Sequence, residues 1–382
     1  MPANFAPKPT RKPPLPALTG IRTLLAFNIV LFHFTPPHLG PLYRIVNNGY
    51  VFVNVFFLIS GYILTYNYAD RAATLVKREF WLARFSRLYP VFLLALIVSF
   101  KMLQLEWNAR SHAEFFQGLV LTPLLLQGWS PTLATFWNTV AWTLSSEVML
   151  YAAFPWLIRA RWPRKPAPLV LLILALWLIN LIPSSLYLLL NPDHLTGPVT
   201  RYTSTHLIRF LKYTPLPYVC TFLAGITLGR LQLSLSITQR QRLAVAGAAL
   251  AVLGLFFYAV VPRVPYLIMH GGLVLPLFAA LVFGLSGPHL ISSVFSWRPL
   301  LMIGESSYCL YLLHFNGFNL IHTYRLPEHL HLAALDPWLS YAMLILASLA
   351  AYRFVEQPAR KAILRRLSRK NAVAIPAVTL SK

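Results

Sequence analysis

Apolar residues come in blocks of about 20, the length that crosses a bilayer as a helix, and Lys and Arg collect between them. The blocks are 18–35, 49–68, 88–105, 138–158, 168–190, 213–231, 243–261, 265–285, 300–322 and 337–356. They predict an all-α integral membrane protein, a bundle of about ten transmembrane helices. One further apolar stretch, GLVLTPLLLQGW at 118–129, is too short to span and predicts a re-entrant or interfacial helix. The sequence shows no internal repeat.

Charge orients this map. With the N-terminus in the cytoplasm, the cytoplasmic segments hold 23 Lys and Arg residues and the outer loops 7. The bias alternates loop by loop, which predicts that both termini are cytoplasmic. Residues 1–16 read as a disordered, basic, Pro-rich arm, 17–360 as the membrane domain and 361–382 as a basic tail. Composition agrees: 57% of residues are hydrophobic and only 11% charged, against about 25% in soluble domains. In a soluble chain a net charge of +23 would suggest nucleic acid. Here it reads as topology, and no nucleic-acid partner is expected. The longest outer loop, 191–212, is too short for a catalytic domain, so any chemistry falls to the bundle. Cys220 and Cys309 lie in apolar runs and read as two buried thiols. No spacing predicts a metal site, a P-loop or a covalent serine or cysteine nucleophile.

Polar residues inside the apolar blocks are the informative exceptions. Arg22 and His33 share the first block, eleven residues apart. At about 100° per residue they fall within about 20° of one helix face, about 16 Å apart along the axis. Arg22 reads as an interface anchor or a ligand-binding cation, and His33 as a structural or functional imidazole. Glu147 is the one acidic residue in the middle of a block, and Thr143, Glu147 and Tyr151 form an i, i+4, i+8 stripe. Such a carboxylate must be protonated, paired or facing a wet cavity. Arg84 and Arg87, at the expected cytoplasmic mouth of the third span, are i, i+3 neighbours. Two forked guanidiniums suit a phosphate or pyrophosphate, and ordinary positive-inside charge gives the same pattern. Ser307, Tyr311 and His314 share a face of the ninth block, with His314 at a depth similar to His33. Ser60-Gly61 reads as a close helix-packing site, and Glu356 as a structural partner of Arg353 or Arg360.

In order, these segments resemble the membrane acyltransferase-3 family. LTGIRTLLAFNIVLFHF resembles its first motif, VFFLISGYILTY its second, and FWLARFSRLYP its Arg-x-x-Arg…Tyr-Pro segment. WTLSSEVMLYAAFP, with Trp142 and Glu147, resembles its Trp-Ser-Leu-Ser-x-Glu motif. SSYCLYLLHF and FVEQPAR resemble its last two. Thr19, Val148, Met149, Asn316 and Gln357 depart from the family pattern.

The resemblance implies transfer of an acyl group, usually acetyl, from cytoplasmic acyl-CoA to a hydroxyl of a cell-surface or secreted glycan. Joined to the geometry, it makes Arg22, Arg84 and Arg87 the acyl-CoA-binding residues. His33 becomes the general base, with Glu147 as its orienter. Trp142, Ser307, Tyr311 and His314 are candidates for acceptor binding, and His314 also for a second base. Acetyl-CoA is then a substrate, with no permanently bound cofactor. The expected partners are a glycan or lipid-linked saccharide acceptor, membrane lipids and polysaccharide-biosynthesis proteins. The expected location is a bacterial inner membrane. Two other readings stay open: a proton-coupled transporter or flippase of a lipid-linked glycan, and an acyl translocator feeding a separate acceptor enzyme.

Overall fold

A computed structural model describes residues 12–370, so most of the expected N-terminal arm and the end of the basic tail lie outside the described residues. The chain is helical throughout, with no strand among the described residues. The main helices begin with α1 (Pro16–His33), α2 (Val51–Tyr68), α3 (Lys77–Val98), α4 (Phe100–Ala109), α5 (His112–Leu121) and α6 (Trp142–Leu157). Next come α7 (Pro166–Leu190), α8 (His206–Tyr213), α9 (Val219–Ser234), α10 (Gln239–Leu255), α11 (Tyr266–His270) and α12 (Leu275–Leu285). The chain continues through α13 (Arg298–Glu305), α14 (Ser307–Thr323), α15 (Trp338–Ala351) and α16 (Gln357–Lys370).

Eight helices are long and apolar enough to cross a membrane. They are α1, α2, α3, α7, α9, α10, the interrupted pair α11–α12, and α15 continued into α16. The other two blocks form shorter helices, α6 of 16 residues and α14 of 17. Leu171, Leu178 and Leu189 on α7 are exposed, as a lipid-facing helix requires.

The bundle centre is set by the sharp contact of α2 with α9. A Cβ on Gly61 would run into the Phe222 carbonyl, and one on Gly225 into the Leu58 carbonyl. Only glycine lets the two backbones approach so closely, which is the packing role expected at Ser60-Gly61. Around this seam, Leu58, Tyr62, Phe222 and Ile226 are buried.

Three elements differ from the hydropathy pattern. The third span starts at Lys77, eleven residues before the predicted 88, and stops at Val98. Its charged first half reads as a loop by hydropathy, yet Arg84 and Arg87 in it turn into the bundle. It ends where Ser99 Oγ donates to the Ala95 carbonyl and accepts from Asn138 Nδ2 at 3.1 Å and Asn316 Nδ2 at 2.5 Å. The 118–129 stretch is split between α5 and a short turn that packs under α6. There Gln127 Nε2 donates to the Ala141 carbonyl, and the Gly128 amide donates to Ser145 Oγ. Finally, the backbone makes a π turn at Tyr352–Glu356. That turn buries Glu356, which accepts from Cys309 Sγ at 3.4 Å while Arg353 stays exposed. Of the two partners expected for Glu356, Arg353 faces away, while the charge of Arg360 acts on its carboxylate.

Candidate active site

Helical register brings one polar residue after another to a single cleft. Arg22 comes from α1, and Arg84 and Arg87 from successive turns of α3. Thr143, Glu147 and Tyr151 come from one stripe of α6, and Ser307, Tyr308 and Tyr311 from the start of α14. Val53, Phe56, Phe57, Ile59 and Leu144 complete the walls, which surround about 840 Å³ of empty space. Arg87 lies about 15 Å along the axis from the start of α3. Arg84 and Arg87 therefore stand inside the bundle and not at its mouth, a correction to the expected third span.

The cleft is cationic, and Arg84 rests over the Phe80 ring, 5.9 Å from its centroid. Among the described residues, no hydrogen bond or ion pair within 4 Å occupies the guanidinium of Arg22, Arg84 or Arg87, and Arg84 Nε is buried without a partner. Glu147 and Glu356 balance Arg22 and Arg87 at longer range. Glu147 itself is held by Tyr151, whose hydroxyl donates to Oε1 at 3.3 Å and lies 3.4 Å from Ser60 Oγ. The charges that act on Glu147 are those of Arg87, Arg22 and Arg84.

A second centre lies one helical turn beyond, at the opposite end of α1. The rings of His33 and His314 are 5.2 Å apart. Phe32, Phe34 and Phe315 surround His33. His314 is fully buried, and its Nδ1 is 2.6 Å from the Tyr311 carbonyl oxygen. A carbonyl only accepts, so Nδ1 carries the hydrogen, and Nε2 of the neutral ring keeps its lone pair. That Nε2 has no partner among the described residues. Tyr311 is common to both centres: it lines the cleft, and its carbonyl fixes the His314 tautomer.

Two residues stand apart from the partners expected of them. Glu147 makes no hydrogen bond or ion pair with His33. It belongs to the arginine cleft, and its one hydrogen-bond partner is Tyr151. Trp142 does not line the cleft. It is buried in an aromatic group with Tyr213 and Tyr218, at ring separations of 5.4 and 5.3 Å. The one-dimensional phase of α6 put Glu147 on the right face, and only the packing of α1 against α14 decides which end of that face His33 can see.

A family profile described as "Acyltransferase domain" (the acyltransferase-3 type) matches residues 15–352. The chain belongs to the acyltransferase-3 family. This acyltransferase-3 chain is 33% identical to the acyltransferase MdmB of Streptomyces mycarofaciens over 157 residues, 38% of this chain and 40% of that one. It is 25% identical to the O-acetyltransferase OatA of Staphylococcus aureus, over 91% of this chain and 57% of the relative. It is 22% identical to the peptidoglycan O-acetyltransferase OatA of Listeria monocytogenes, over 91% of this chain and 56% of the relative. The chain thus spans about half the length of the curated relatives it matches. No solved structure matches it.

Within this acyltransferase-3 site, sequence reasoning missed three contributors. Tyr308 lines the cleft and donates to the Leu88 carbonyl at 2.8 Å. Ser60, read only as a packing residue, faces the cleft beside Tyr151. Arg201, counted only as loop charge, donates to the Phe32 carbonyl at 3.2 Å beside His33. Nothing in the local pattern around 201 signals that contact, because it joins residues 169 apart.

Proposed function

We propose that the chain transfers an acyl group, acetyl in the simplest case, from cytoplasmic acyl-CoA to a hydroxyl of a cell-surface or secreted glycan. The observation that carries this reading is the cleft of three guanidiniums, Arg22, Arg84 and Arg87, that have no hydrogen-bonded or ion-paired partner among the described residues. Buried donors without partners are costly, and a polyphosphate guest supplies what they lack through charge-assisted, forked hydrogen bonds. The family supports acyl transfer. Relatives called O-acetyltransferase and peptidoglycan O-acetyltransferase support a glycan hydroxyl as acceptor. The charge bias supports a bacterial inner membrane orientation with the arginine end of α1 in the cytoplasm.

The donor's phosphates sit among the arginines, and its slim pantetheine arm extends along α1 past Tyr311 toward the histidines. His33 removes the proton from the acceptor hydroxyl as general base. The oxygen then bonds to the thioester carbonyl carbon, the C–S bond breaks, and the CoA sulfur leaves with the proton returned by His33. His314 takes the orienting part first expected of Glu147. Its Nε2 lone pair accepts from the imidazolium at His33. Glu147 instead balances the charge of the empty arginine cleft.

The test is transfer from a labelled acetyl donor in membranes holding the full-length protein. His33→Ala and His314→Ala, inserted at normal levels, should each lose transfer while CoA still binds. Full transfer by His33→Ala would overturn the mechanism. Consumption of donor only when a second protein is added would make the chain an acyl translocator. Donor-independent movement of a lipid-linked glycan, driven by a proton gradient, would make it a transporter.

A further inference from the structure

A second cavity, of about 500 Å³, lies between α7, α9 and α11, apart from the arginine cleft. It forms where an apolar segment breaks. α11 ends at His270, residues 271–274 turn, and α12 resumes at Leu275. Broken backbone at membrane depth persists only where protein or a cavity satisfies its carbonyls. Here three side chains do so. Asn54 Nδ2 donates to the His270 carbonyl at 2.9 Å, Asn180 Nδ2 to that of Gly271 at 2.6 Å, and Trp177 Nε1 to that of Leu273 at 3.1 Å. The break is written into the sequence: Gly272 has φ +91°, and a Cβ on Gly271 would stand 2.8 Å from Ser184 Oγ.

With the break secured, the cavity wall keeps polar atoms in reserve. Asn180 Oδ1, Ser184 Oγ and the ring nitrogens of His270 have no hydrogen-bond partner among the described residues. Ser184 is 4% exposed and His270 8%. The remaining wall is apolar, and Ile179 and Leu216 lie half exposed at its edge, on the lipid-facing side of α7 and the turn before α9. No Lys, Arg, Asp or Glu lines it.

We propose that this cavity binds the neutral, hydroxyl-rich head group of a membrane amphiphile, the sugar of a glycolipid, which enters from the lipid past Ile179 and Leu216. Hydroxyls both donate and accept, which matches an amide oxygen, a serine and an imidazole. A bare acyl chain would leave all three unpaired, and a cation would meet no carboxylate in the wall. The mixed apolar and sparsely polar wall is that of a small-molecule site. The assignment does not depend on the transfer reaction proposed above, since the cavity and its residues are separate from the cleft.

Cys220 lines this cavity and is partly exposed, whereas the chain's other thiol, Cys309, is fully buried. Cys220 is therefore a built-in reporter. The experiment is the rate of its alkylation by N-ethylmaleimide in full-length protein held in lipid nanodiscs, with octyl β-glucoside or octanol added at equal membrane concentration. Glucoside at several times its Kd should slow labelling about fivefold, and octanol should not. Ser184→Ala, which touches none of the carbonyl bonds at the break, should weaken the protection by roughly 2–10-fold. Ile179→Trp, which narrows the opening and removes no hydrogen bond, should abolish it. Equal protection by octanol, no protection by glucoside, or protection unchanged in both variants would overturn the proposal. The readout uses no acyl donor, so its failure and a failure of the transfer mechanism are distinguishable.

Discussion

At the residue scale, Arg84 and Arg87 are the side chains whose chemistry is least satisfied by the protein itself. Each hydrogen bond to a charged partner contributes about 1.5–3 kcal/mol, so Arg87→Ala should weaken donor use by roughly 10–150-fold with little change in acceptor dependence. Arg87→Lys should recover only part, because an ammonium lacks the planar fork. Steady-state kinetics with donor and acceptor varied separately distinguishes these outcomes. A loss confined to the acceptor would remove the arginines from the donor site. Glu147 gives a second prediction. Because it sits among arginines and not beside His33, Glu147→Gln should change the donor KM and leave the pH profile of transfer in place. A displaced pH profile would restore the orienting role. The identities of these residues were legible in the sequence, since ionisable groups in apolar blocks stand out. Their grouping was not, because helical phase fixes a face and says nothing about which neighbour covers it.

At the element scale, the chain depends on a few close approaches and one outer strap. Gly61→Leu would drive a side chain into the Phe222 carbonyl and should cost more than about 4 kcal/mol, read as loss of folded protein on extraction. Lys212 ties α8 to the loop before it by donating to the Arg201 carbonyl at 2.9 Å. Burial, with the Arg209 charge behind it, pushes the Lys212 ammonium down to about 8. The folded state therefore binds fewer protons than the unfolded one above that pH, and stability rises with pH from about 8 to about 10.5. Thermal unfolding of purified protein should show this rise, and Lys212→Met should flatten it. A wild-type curve as flat as that of the variant would contradict the assignment. Hydropathy located most of the long helices, but it misplaced the start of α3. Six of its first eleven residues, from Lys77 to Arg87, are charged or polar, and a window average cannot tell charge on a buried helix from a loop.

At the scale of the whole molecule, the proposed donor and acceptor sites share one helix. Arg22 and His33 are about 16 Å apart on α1, with Tyr311 of α14 shared by the two sites. If α1 is the wall of a path between two sides of a membrane, its two ends face different compartments. A single-cysteine accessibility map should then label a thiol near Lys12 from the cytoplasm and one in loop 191–205 from outside. Labelling of both from one side would contradict the charge-based topology. The central claim is that the arginine cleft holds the phosphates of acyl-CoA, and equilibrium binding of CoA to the purified full-length protein tests it most directly. The account predicts saturable binding that weakens at least about tenfold in Arg87→Ala and is unchanged in His33→Ala. Binding unaffected by Arg87→Ala, or no binding to the wild-type protein, would contradict it.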